Sequence, residues 1–251
     1  MRTALVTGVS RRAGIGFAIA SQLLDDGFRV VVHHHAAHDD AQAWGGDDLA
    51  ALLAELREHG DLAGDVPGDL AEPTAPARLV AEAVQQAGPL DVLVANHARS
   101  GADGPLAEVT AEMLDGHWAV DARATILLVQ ALAAQHDGRG GGRAVLLTSG
   151  QGLGPMPGEV GYAAAKGALA AITATLAQEM APGILLNTIN PGPVDTGYLS
   201  GDAHAEVAAR FPGGVWGQPT DTARLVSWLV SDAGRWMVGQ VLHSEGGFRR
   251  G

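Results

Sequence analysis

Residues 3–26 read TALVTGVSRRAGIGFAIASQLLDD, and this stretch decides the fold. The apolar run Thr3 to Thr7 predicts a buried strand, and the pattern from Ile15 to Asp26 predicts an amphipathic helix. Between them, Gly8, Gly14 and Gly16 allow a sharp backbone turn and let a phosphate approach the helix N-terminus, where free N–H groups favour negative charge. Tight packing of a strand against a helix also favours glycine, so the loop alone leaves both interpretations open.

The same alternation of apolar strands and alanine-rich helices continues along the chain. Further strand candidates are Arg29 to His33, Asp91 to Ala95, Ala144 to Thr148, Ile184 to Ile189 and Gln240 to His243. Helical patterns cover Asp48 to Glu58, Ala111 to Ala134 and Gly161 to Met180. Such an order predicts an α/β fold, a doubly wound parallel sheet with helices on both faces. Ligands of such sheets bind beyond the carboxyl ends of the strands, so the site is expected in those loops.

Length and composition restrict the classes of function. The 251 residues suit a single domain over 1–251 better than two domains. A net charge of −12 disfavours nucleic acid and anionic membranes as partners. With zero cysteines, disulfides and thiolate chemistry are excluded. The short apolar run after Arg2 fits a first strand better than a signal peptide, so we expect a cytoplasmic protein.

A single lysine and a nearby tyrosine form the first catalytic candidate. Of sixteen basic residues only Lys166 is a lysine, and Tyr162, one of two tyrosines, precedes it by four residues, on the same face of a helix. A phenol with a pKa of about 10 is a poor acid or base at neutral pH, and an adjacent ammonium lowers that pKa. Ser149, directly after the strand candidate Ala144 to Thr148, is placed to hold a carbonyl oxygen while Tyr162 protonates it.

These motifs resemble those of the short-chain dehydrogenase/reductase family. Thr7 to Gly16 resembles the family's Thr-Gly-x3-Gly-x-Gly loop, lengthened by two residues, and Ser149 with Tyr162-x3-Lys166 resembles its catalytic set. The resemblance implies a Rossmann fold and a nicotinamide cofactor. It also implies that Lys166 and the positive charge of an oxidised nicotinamide together stabilise the phenolate of Tyr162.

Further matches follow in the family's order along nearly the whole chain. Asp69-Leu70 stands where the family contacts adenine, and Asn96-His97-Ala98 stands where it has Asn-Asn-Ala-Gly. The segment Asn190 to Thr196 resembles the Pro-Gly segment that lies against the nicotinamide. The cofactor contacts expected from the loop and the resemblance are Gly8, Ser10, Arg11, Arg12, Gly14, Ile15, Gly16, His34, Asp69, Leu70, Asn96, His97, Ala98, Tyr162, Lys166, Pro191, Gly192, Val194 and Thr196.

The charges near the second strand favour NADP(H) over NAD(H). Sites for NAD usually carry a carboxylate at the end of this strand, whereas here the strand ends in His33-His34-His35. Arg11 and Arg12 are expected to clasp the 2′-phosphate, since a guanidinium offers a rigid fork of donors, unless one of them only caps the surface. Consecutive histidines on a strand point to opposite faces and chelate poorly, so we expect no metal.

Three positions depart from the family's pattern. His97 replaces an asparagine and is expected to change only local packing, and Arg99 replaces a glycine and points to the substrate cleft. Asp121 takes the place where the family usually has an asparagine that holds a water linking the lysine to solvent. Either the relay tolerates a carboxylate, or Asp121 faces away and caps a helix bend through its backbone carbonyl.

The motifs together favour an oxidoreductase that reduces a small ketone or aldehyde to an alcohol, or catalyses the reverse. One alternative is an enzyme like the 3-oxoacyl-[acyl-carrier-protein] reductases, although the helix 161–180 offers only Lys166 as a docking cation for an acidic carrier. A second alternative is a non-catalytic NADP-sensing binding protein, motivated by Asp121 and His97. The retention of Ser149 and Tyr162 opposes that alternative.

The substrate side of the site is expected to be bounded by Gly150 to Gly158, by Arg99 to Gly104 and by a covering segment at 197–218. The side chains of Tyr198, Leu199, Phe211 and Trp216 in that segment favour an apolar substrate. The resemblance also implies a homotetramer or a homodimer. The apolar stretches Trp236-Met237-Val238 and Val241-Leu242 are suited to burial in such an assembly.

Overall fold

The computed structural model describes residues 1–250, and its seven strands form one parallel sheet in the order β3-β2-β1-β4-β5-β6-β7. The strands are β1 (Thr3–Val6), β2 (Arg29–His34), β3 (Leu62–Pro67), β4 (Val92–Ala95), β5 (Gly142–Leu147), β6 (Ile184–Asn190) and β7 (Val241–His243). The order reverses between β1 and β4, because β2 and β3 lie on one side of β1 and the later strands on the other. This doubly wound arrangement confirms the fold expected from the sequence and opens a crevice at the reversal.

Helices cover both faces of the sheet. They are α1 (Ile15–Asp25), α2 (Ala36–Asp40), α3 (Leu49–His59), α4 (Ala75–Ala87), α5 (Ala111–His117), α6 (Thr125–Gln135), α7 (Val160–Met180), α8 (Gly201–Ala208) and α9 (Pro219–Val230). A π-helical segment (Trp118–Ala124) joins α5 to α6. The sequence pattern predicted one helix over Ala111 to Ala134, and the structure divides that span into three pieces.

The core has two layers because successive strand residues face opposite sides of the sheet. In β1, Ala4 and Val6 pack toward α1, α3 and α9, whereas Leu5 packs toward α4, α6 and α7. All three side chains are fully buried. The continuous apolar runs that predicted strands therefore reflect burial on both faces.

The longest helix, α7, is apolar enough by length and composition alone to resemble a membrane span, with a mean hydropathy of 1.3 in its most apolar window. Here it packs beside β6 and the π-helical segment. Lys166 lies in its second turn and is almost fully buried. A third of the apolar window is buried within the chain.

Candidate active site

A cavity of about 1430 Å³ lies at the carboxyl ends of the strands, where the loops after β1, β2, β4, β5 and β6 meet. It has room for a large cofactor together with a small substrate. The sequence-predicted residues on its wall are Gly8, Ser10, Arg11, Gly14, Ile15, Gly16, Asp69, Leu70, Asn96, His97, Ala98, Ser149, Tyr162, Lys166, Pro191, Gly192, Val194 and Thr196. Three others, Arg12, His34 and Asp121, do not line it.

The glycine-rich loop after β1 is shaped by packing as well as by access to the cavity. Gly8 has a φ of +73°, and a Cβ there would lie 2.9 Å from the Cα of His97. A Cβ on Gly16 would overlap the carbonyl oxygen of Gly8. Asn96 fixes the loop, since its Nδ2 donates to the carbonyls of Thr7 (3.0 Å) and Gly8 (3.1 Å). Asn96 therefore stabilises the shape of the loop through these two hydrogen bonds.

The start of α1 fits an anionic group. The helix begins after Gly14, and within residues 1–250 no side chain caps its first N–H groups. Gly14, Ile15 and Gly16 all lie on the cavity wall. Free N–H groups and the helix dipole at such an end favour negative charge, so the loop suits a pyrophosphate.

The two arginines of the loop have different surroundings. Arg12 points away from the cavity and pairs with Glu55 on α3 at 2.7 Å and with Asp47 at 3.7 Å. Arg11 lies on the cavity wall, where its Nη2 donates to the carbonyl of Thr196 at 2.9 Å. Of the two arginines that were expected to clasp a phosphate, Arg11 therefore lies at the cavity, whereas Arg12 pairs with acids outside it.

The histidines at the end of β2 alternate between the two faces of the sheet. His34 turns away from the cavity, and its Nε2 lies 3.0 Å from Asp65 Oδ2. The expectation that His34 faces the cofactor site is therefore corrected, since it does not line the cavity. His33 and His35 line the cavity. Burial lowers the pKa of His33 to about 4, so His33 is neutral at pH 7.

An acidic residue that the sequence analysis missed lies near this end of the cavity. Asp39, on α2, is buried, and its carboxylate accepts hydrogen bonds from the Ser10 hydroxyl and from Trp44 Nε1 (3.4 Å). An acid was expected only at the end of β2, whereas Asp39 follows His34 by five residues and lies on a separate short helix. Asp39 places one negative charge on the cavity wall.

Ser149, Tyr162 and Lys166 meet beyond β5, as their spacing predicted. Lys166 Nζ lies 5.7 Å from the centre of the Tyr162 ring and donates to the carbonyl of Leu147 at 2.9 Å. The Thr148 hydroxyl donates to the carbonyl of Lys166 at 2.7 Å, which fixes α7 against the end of the strand. The Ser149 hydroxyl faces Met156 Sδ at 3.9 Å on the same wall.

Burial dominates the protonation of this group. Burial raises the pKa of the Tyr162 phenol above its ordinary value, the charge of Asp121 raises it further, and the Ser149 hydroxyl works in the opposite direction. Burial lowers the pKa of the Lys166 ammonium, and the charge of Asp121 opposes that change. A protonated phenol beside a hydroxyl donor can hydrogen-bond a carbonyl oxygen and transfer a proton to it.

Asp121 faces inward from the π-helical segment. Its side chain is fully buried, with Oδ1 accepting from the Arg99 backbone N–H at 2.6 Å and Oδ2 lying 2.9 Å from His117 Nδ1. Its backbone carbonyl accepts from the Thr125 hydroxyl at 2.9 Å, so this residue also stabilises the helix bend. The carboxylate acts on Tyr162 and Lys166 through its charge.

His97 is held by local packing contacts, as expected. Its Nδ1 lies 2.8 Å from the Thr7 hydroxyl, and its Nε2 lies 3.1 Å from the Val120 carbonyl. Burial lowers its pKa well below the ordinary value, so His97 is neutral. It joins the glycine-rich loop to the π-helical segment.

Two further residues beside Tyr162 were missed by the sequence analysis. His117, at the end of α5, and Asp103, in the loop after β4, both line the cavity. Asp103 accepts from the N–H groups of Gly161 (3.0 Å) and Tyr162 (2.8 Å), and so stabilises the start of α7. The spacing of four between His117 and Asp121 is a signal that could have indicated His117, whereas only the fold brings Asp103 to this place.

The segment after β6 closes the opposite wall. Gly192 has a φ of +69°, and a Cβ there would lie 2.8 Å from the Cα of Glu245, so the turn requires glycine. From the expected covering segment 197–218, Tyr198, Leu199 and Trp216 reach the cavity, whereas Phe211 packs on Phe248 with ring centres 5.1 Å apart. The carboxyl-terminal residues Phe248 and Arg250 also line the cavity, which the sequence had not indicated.

Comparisons with known proteins agree with this architecture. The family model described as "Enoyl-(Acyl carrier protein) reductase" matches residues 8–249. The Bacillus subtilis protein named "Uncharacterized oxidoreductase YjdA" is 36% identical over 253 residues, covering 100% of this chain and 98% of that protein. The 3-oxoacyl-[acyl-carrier-protein] reductase FabG of Staphylococcus epidermidis is 30% identical, with 98% of each chain covered.

Two solved structures contain a bound nucleotide. A blue fluorescent protein from a metagenomic library, in complex with NADPH, is 33% identical with a TM-score of 0.87, covering 99% of this chain and 98% of that one. A short chain dehydrogenase from Burkholderia cenocepacia, in complex with NADP, is 34% identical with a TM-score of 0.85, covering 98% of this chain and 97% of that one. With its Ser149, Tyr162 and Lys166 on one cavity wall, the chain belongs to the short-chain dehydrogenase/reductase family.

Proposed function

We propose that the protein is an NADP(H)-dependent oxidoreductase that reduces the carbonyl group of a small ketone or aldehyde to an alcohol, or catalyses the reverse. One observation carries the proposal: Ser149, Tyr162 and Lys166 share a wall of the cavity that also contains the uncapped start of α1. A proton donor and an anion-binding helix end thus open into the same space.

The chemistry divides between the cofactor and the protein. A reduced nicotinamide, when bound in the cavity, would supply a hydride for the carbonyl carbon. The Ser149 hydroxyl holds the carbonyl oxygen, and the Tyr162 phenol donates its proton to that oxygen as negative charge develops. Because burial raises the pKa of Tyr162, the phenol is protonated at neutral pH, which is the form that reduction requires.

Alcohol oxidation needs the opposite protonation state. The phenolate of Tyr162 must accept the hydroxyl proton, and the nearby ammonium of Lys166 stabilises that anion. Burial disfavours the ionised forms of both Tyr162 and Lys166. Oxidation is therefore expected to accelerate as the pH rises, whereas reduction is expected to be efficient at neutral pH.

The choice of NADP(H) rests on the cavity wall and on the relatives. Arg11 lines the cavity wall, and its guanidinium offers a rigid fork of donors that suits a 2′-phosphate. The carboxylate of Asp39 opposes this choice, because its negative charge repels a 2′-phosphate. Ser10 and Trp44 both donate hydrogen bonds to that carboxylate. The complexes of the two similar structures with NADPH and NADP support the phosphorylated cofactor.

A reductase acting on acyl chains of acyl carrier protein is the second candidate, favoured by the FabG relative at 30% identity. The surface of α7 argues against it, because Lys166 is the only basic residue of that helix and is buried. A non-catalytic NADP-sensing protein is a third candidate, suggested by Asp121 in the place of the family's usual asparagine.

The test is NADPH consumption with a panel of small ketones, small aldehydes and an acyl-carrier-protein thioester. We expect turnover with the free carbonyl compounds. Turnover of the thioester alone would favour the second candidate. NADPH binding without consumption on any carbonyl would favour the third and overturn the proposal.

A further inference from the structure

A buried histidine lies between two carboxylates directly behind the proposed proton donor. His117 is 1% exposed, Asp121 is fully buried and the side chain of Asp103 is 9% exposed. His117 Nδ1 lies 2.9 Å from Asp121 Oδ2, and its Nε2 lies 3.7 Å from Asp103 Oδ2. The three residues come from the end of α5, the π-helical segment and the loop after β4, so they join three parts of the fold.

The hydrogen-bond geometry defines the protonation of the ring. Nε2 lies 3.2 Å from the Gly101 carbonyl, which can only accept, so this nitrogen carries a proton. Nδ1 faces a carboxylate oxygen of Asp121, and the other oxygen of that carboxylate accepts from the Arg99 N–H. A ring that donates from both nitrogens is an imidazolium, and the two carboxylates offset its positive charge.

The cluster contacts Tyr162 at two points. The His117 ring packs edge-on against the Tyr162 ring, with centres 6.1 Å apart and planes at 78°. Asp103 accepts from the backbone N–H of Tyr162 at 2.8 Å, so it fixes the turn that carries the phenol. The charge of Asp121, which lies 2.9 Å from His117 Nδ1, raises the pKa of that phenol.

We propose that His117 is a positioning residue of the reaction: as an imidazolium between Asp103 and Asp121, it neutralises the buried Asp121 charge and so limits the effect of that charge on Tyr162. The inference rests on the proposed function, because it concerns the proton donor of that reaction.

Other charged groups face the same space and do not substitute for His117. Glu159, directly before α7, adds a further carboxylate near Asp103, which strengthens the need for a cation. Lys166 Nζ lies 5.7 Å from the centre of the Tyr162 ring and is hydrogen-bonded to the carbonyl of Leu147. The guanidinium of Arg99 lies over Gly116 on α5, and only its backbone N–H reaches Asp121.

The first measurement is the protonation of the ring in the wild-type protein without cofactor. The ¹⁵N spectra of labelled histidine distinguish a ring with one proton from a ring with two, and the signal missing from His117→Gln identifies the residue among ten histidines. We expect His117 to carry both protons at pH 7. A single proton on the ring at pH 7 would overturn the proposal without any need for turnover.

The second measurement is the pH profile of alcohol oxidation. In His117→Gln the uncompensated Asp121 charge should move the rising limb to higher pH by about one unit, which is a tenfold lower rate at a fixed pH below the limb. In His117→Gln/Asp121→Asn both charges are absent, and the limb should return to the wild-type position or below it. A purely structural role would lower the rate at every pH and would not be rescued by the second substitution.

His136→Gln is the matched control, since His136 is also a buried histidine but directly follows α6 and lies beside Gly142 at the start of β5, outside the cavity wall. Its limb should coincide with that of the wild type. A doubly protonated His117 with no shift of the limb in His117→Gln would refute the coupling to Tyr162. If no carbonyl compound is reduced by the wild type, the proposed function fails, and the ring spectrum still decides the charge of His117.

Discussion

Tyr162 and Lys166 meet because a helix brings residues four apart onto one face, and this pair was predictable from the sequence. His117 and Asp121 have the same spacing of four within a run that the sequence pattern assigned to one helix, so this pair could have been found by the same argument. Asp103 could not, because it belongs to a loop without a motif. Only the packing of that loop on α7 brings the acid, the imidazole and the phenol together.

Replacing Asp121 by Asn should make alcohol oxidation possible at lower pH. The Asp121 charge raises the pKa of the Tyr162 phenol, so its removal lowers that pKa, and oxidation needs the phenolate. The rising limb of the oxidation profile should therefore move to lower pH, with little change in reduction at neutral pH. The pH dependence of kcat for both directions measures this, and an unchanged oxidation limb would show that the charge is irrelevant.

The two loop arginines offer a matched pair of substitutions. Arg11→Ala removes a guanidinium from the cavity wall, whereas Arg12→Ala removes one that pairs with Glu55 outside it. The wild type should prefer NADPH over NADH by at least about tenfold in kcat/KM, or about 1.4 kcal/mol. Arg11→Ala should reduce that preference and Arg12→Ala should leave it unchanged. Equal losses in both variants would contradict the assignment of Arg11.

Among the elements, those with continuous apolar runs were predictable and those shaped by their surroundings were not. The sequence analysis missed β3, where Gly64, Asp65 and Pro67 interrupt the apolar pattern at the edge of the sheet. The residues of the π-helical segment do not distinguish it from an ordinary α-helix, so its geometry could not be predicted. In the structure this segment carries the buried Asp121. His34 was assigned to the site because it lies at the end of β2. Successive strand residues face opposite sides of the sheet, and the side chain of His34 lies on the side away from the cavity.

The loop between β1 and α1 depends on Asn96 at the end of β4. Asn96→Ala removes two hydrogen bonds to the carbonyls of Thr7 and Gly8 and should lower the free energy of unfolding by about 1–3 kcal/mol. It should also weaken NADPH binding, because the loop loses its fixed shape. Urea unfolding and a binding titration measure the two effects. Unchanged stability would contradict the supporting role of Asn96.

For the whole molecule, the exposed apolar groups predict self-association. Trp236 is 93% exposed, and β7 forms an edge of the sheet with half-buried Val241 and Leu242. A homotetramer or homodimer that covers these groups is the expected state, and Trp236→Glu should weaken it. Light scattering at micromolar concentration measures the mass. A monomeric wild-type protein would contradict the expectation.

The central claim is that the Tyr162 phenol protonates a carbonyl beside bound NADPH. The most direct measurement compares NADPH binding and NADPH consumption in the wild type and in Tyr162→Phe, using a ketone that the wild type reduces. The substitution removes the proton and little packing, so turnover should be abolished while the affinity for NADPH stays within about threefold. Turnover close to that of the wild type in Tyr162→Phe would contradict the account.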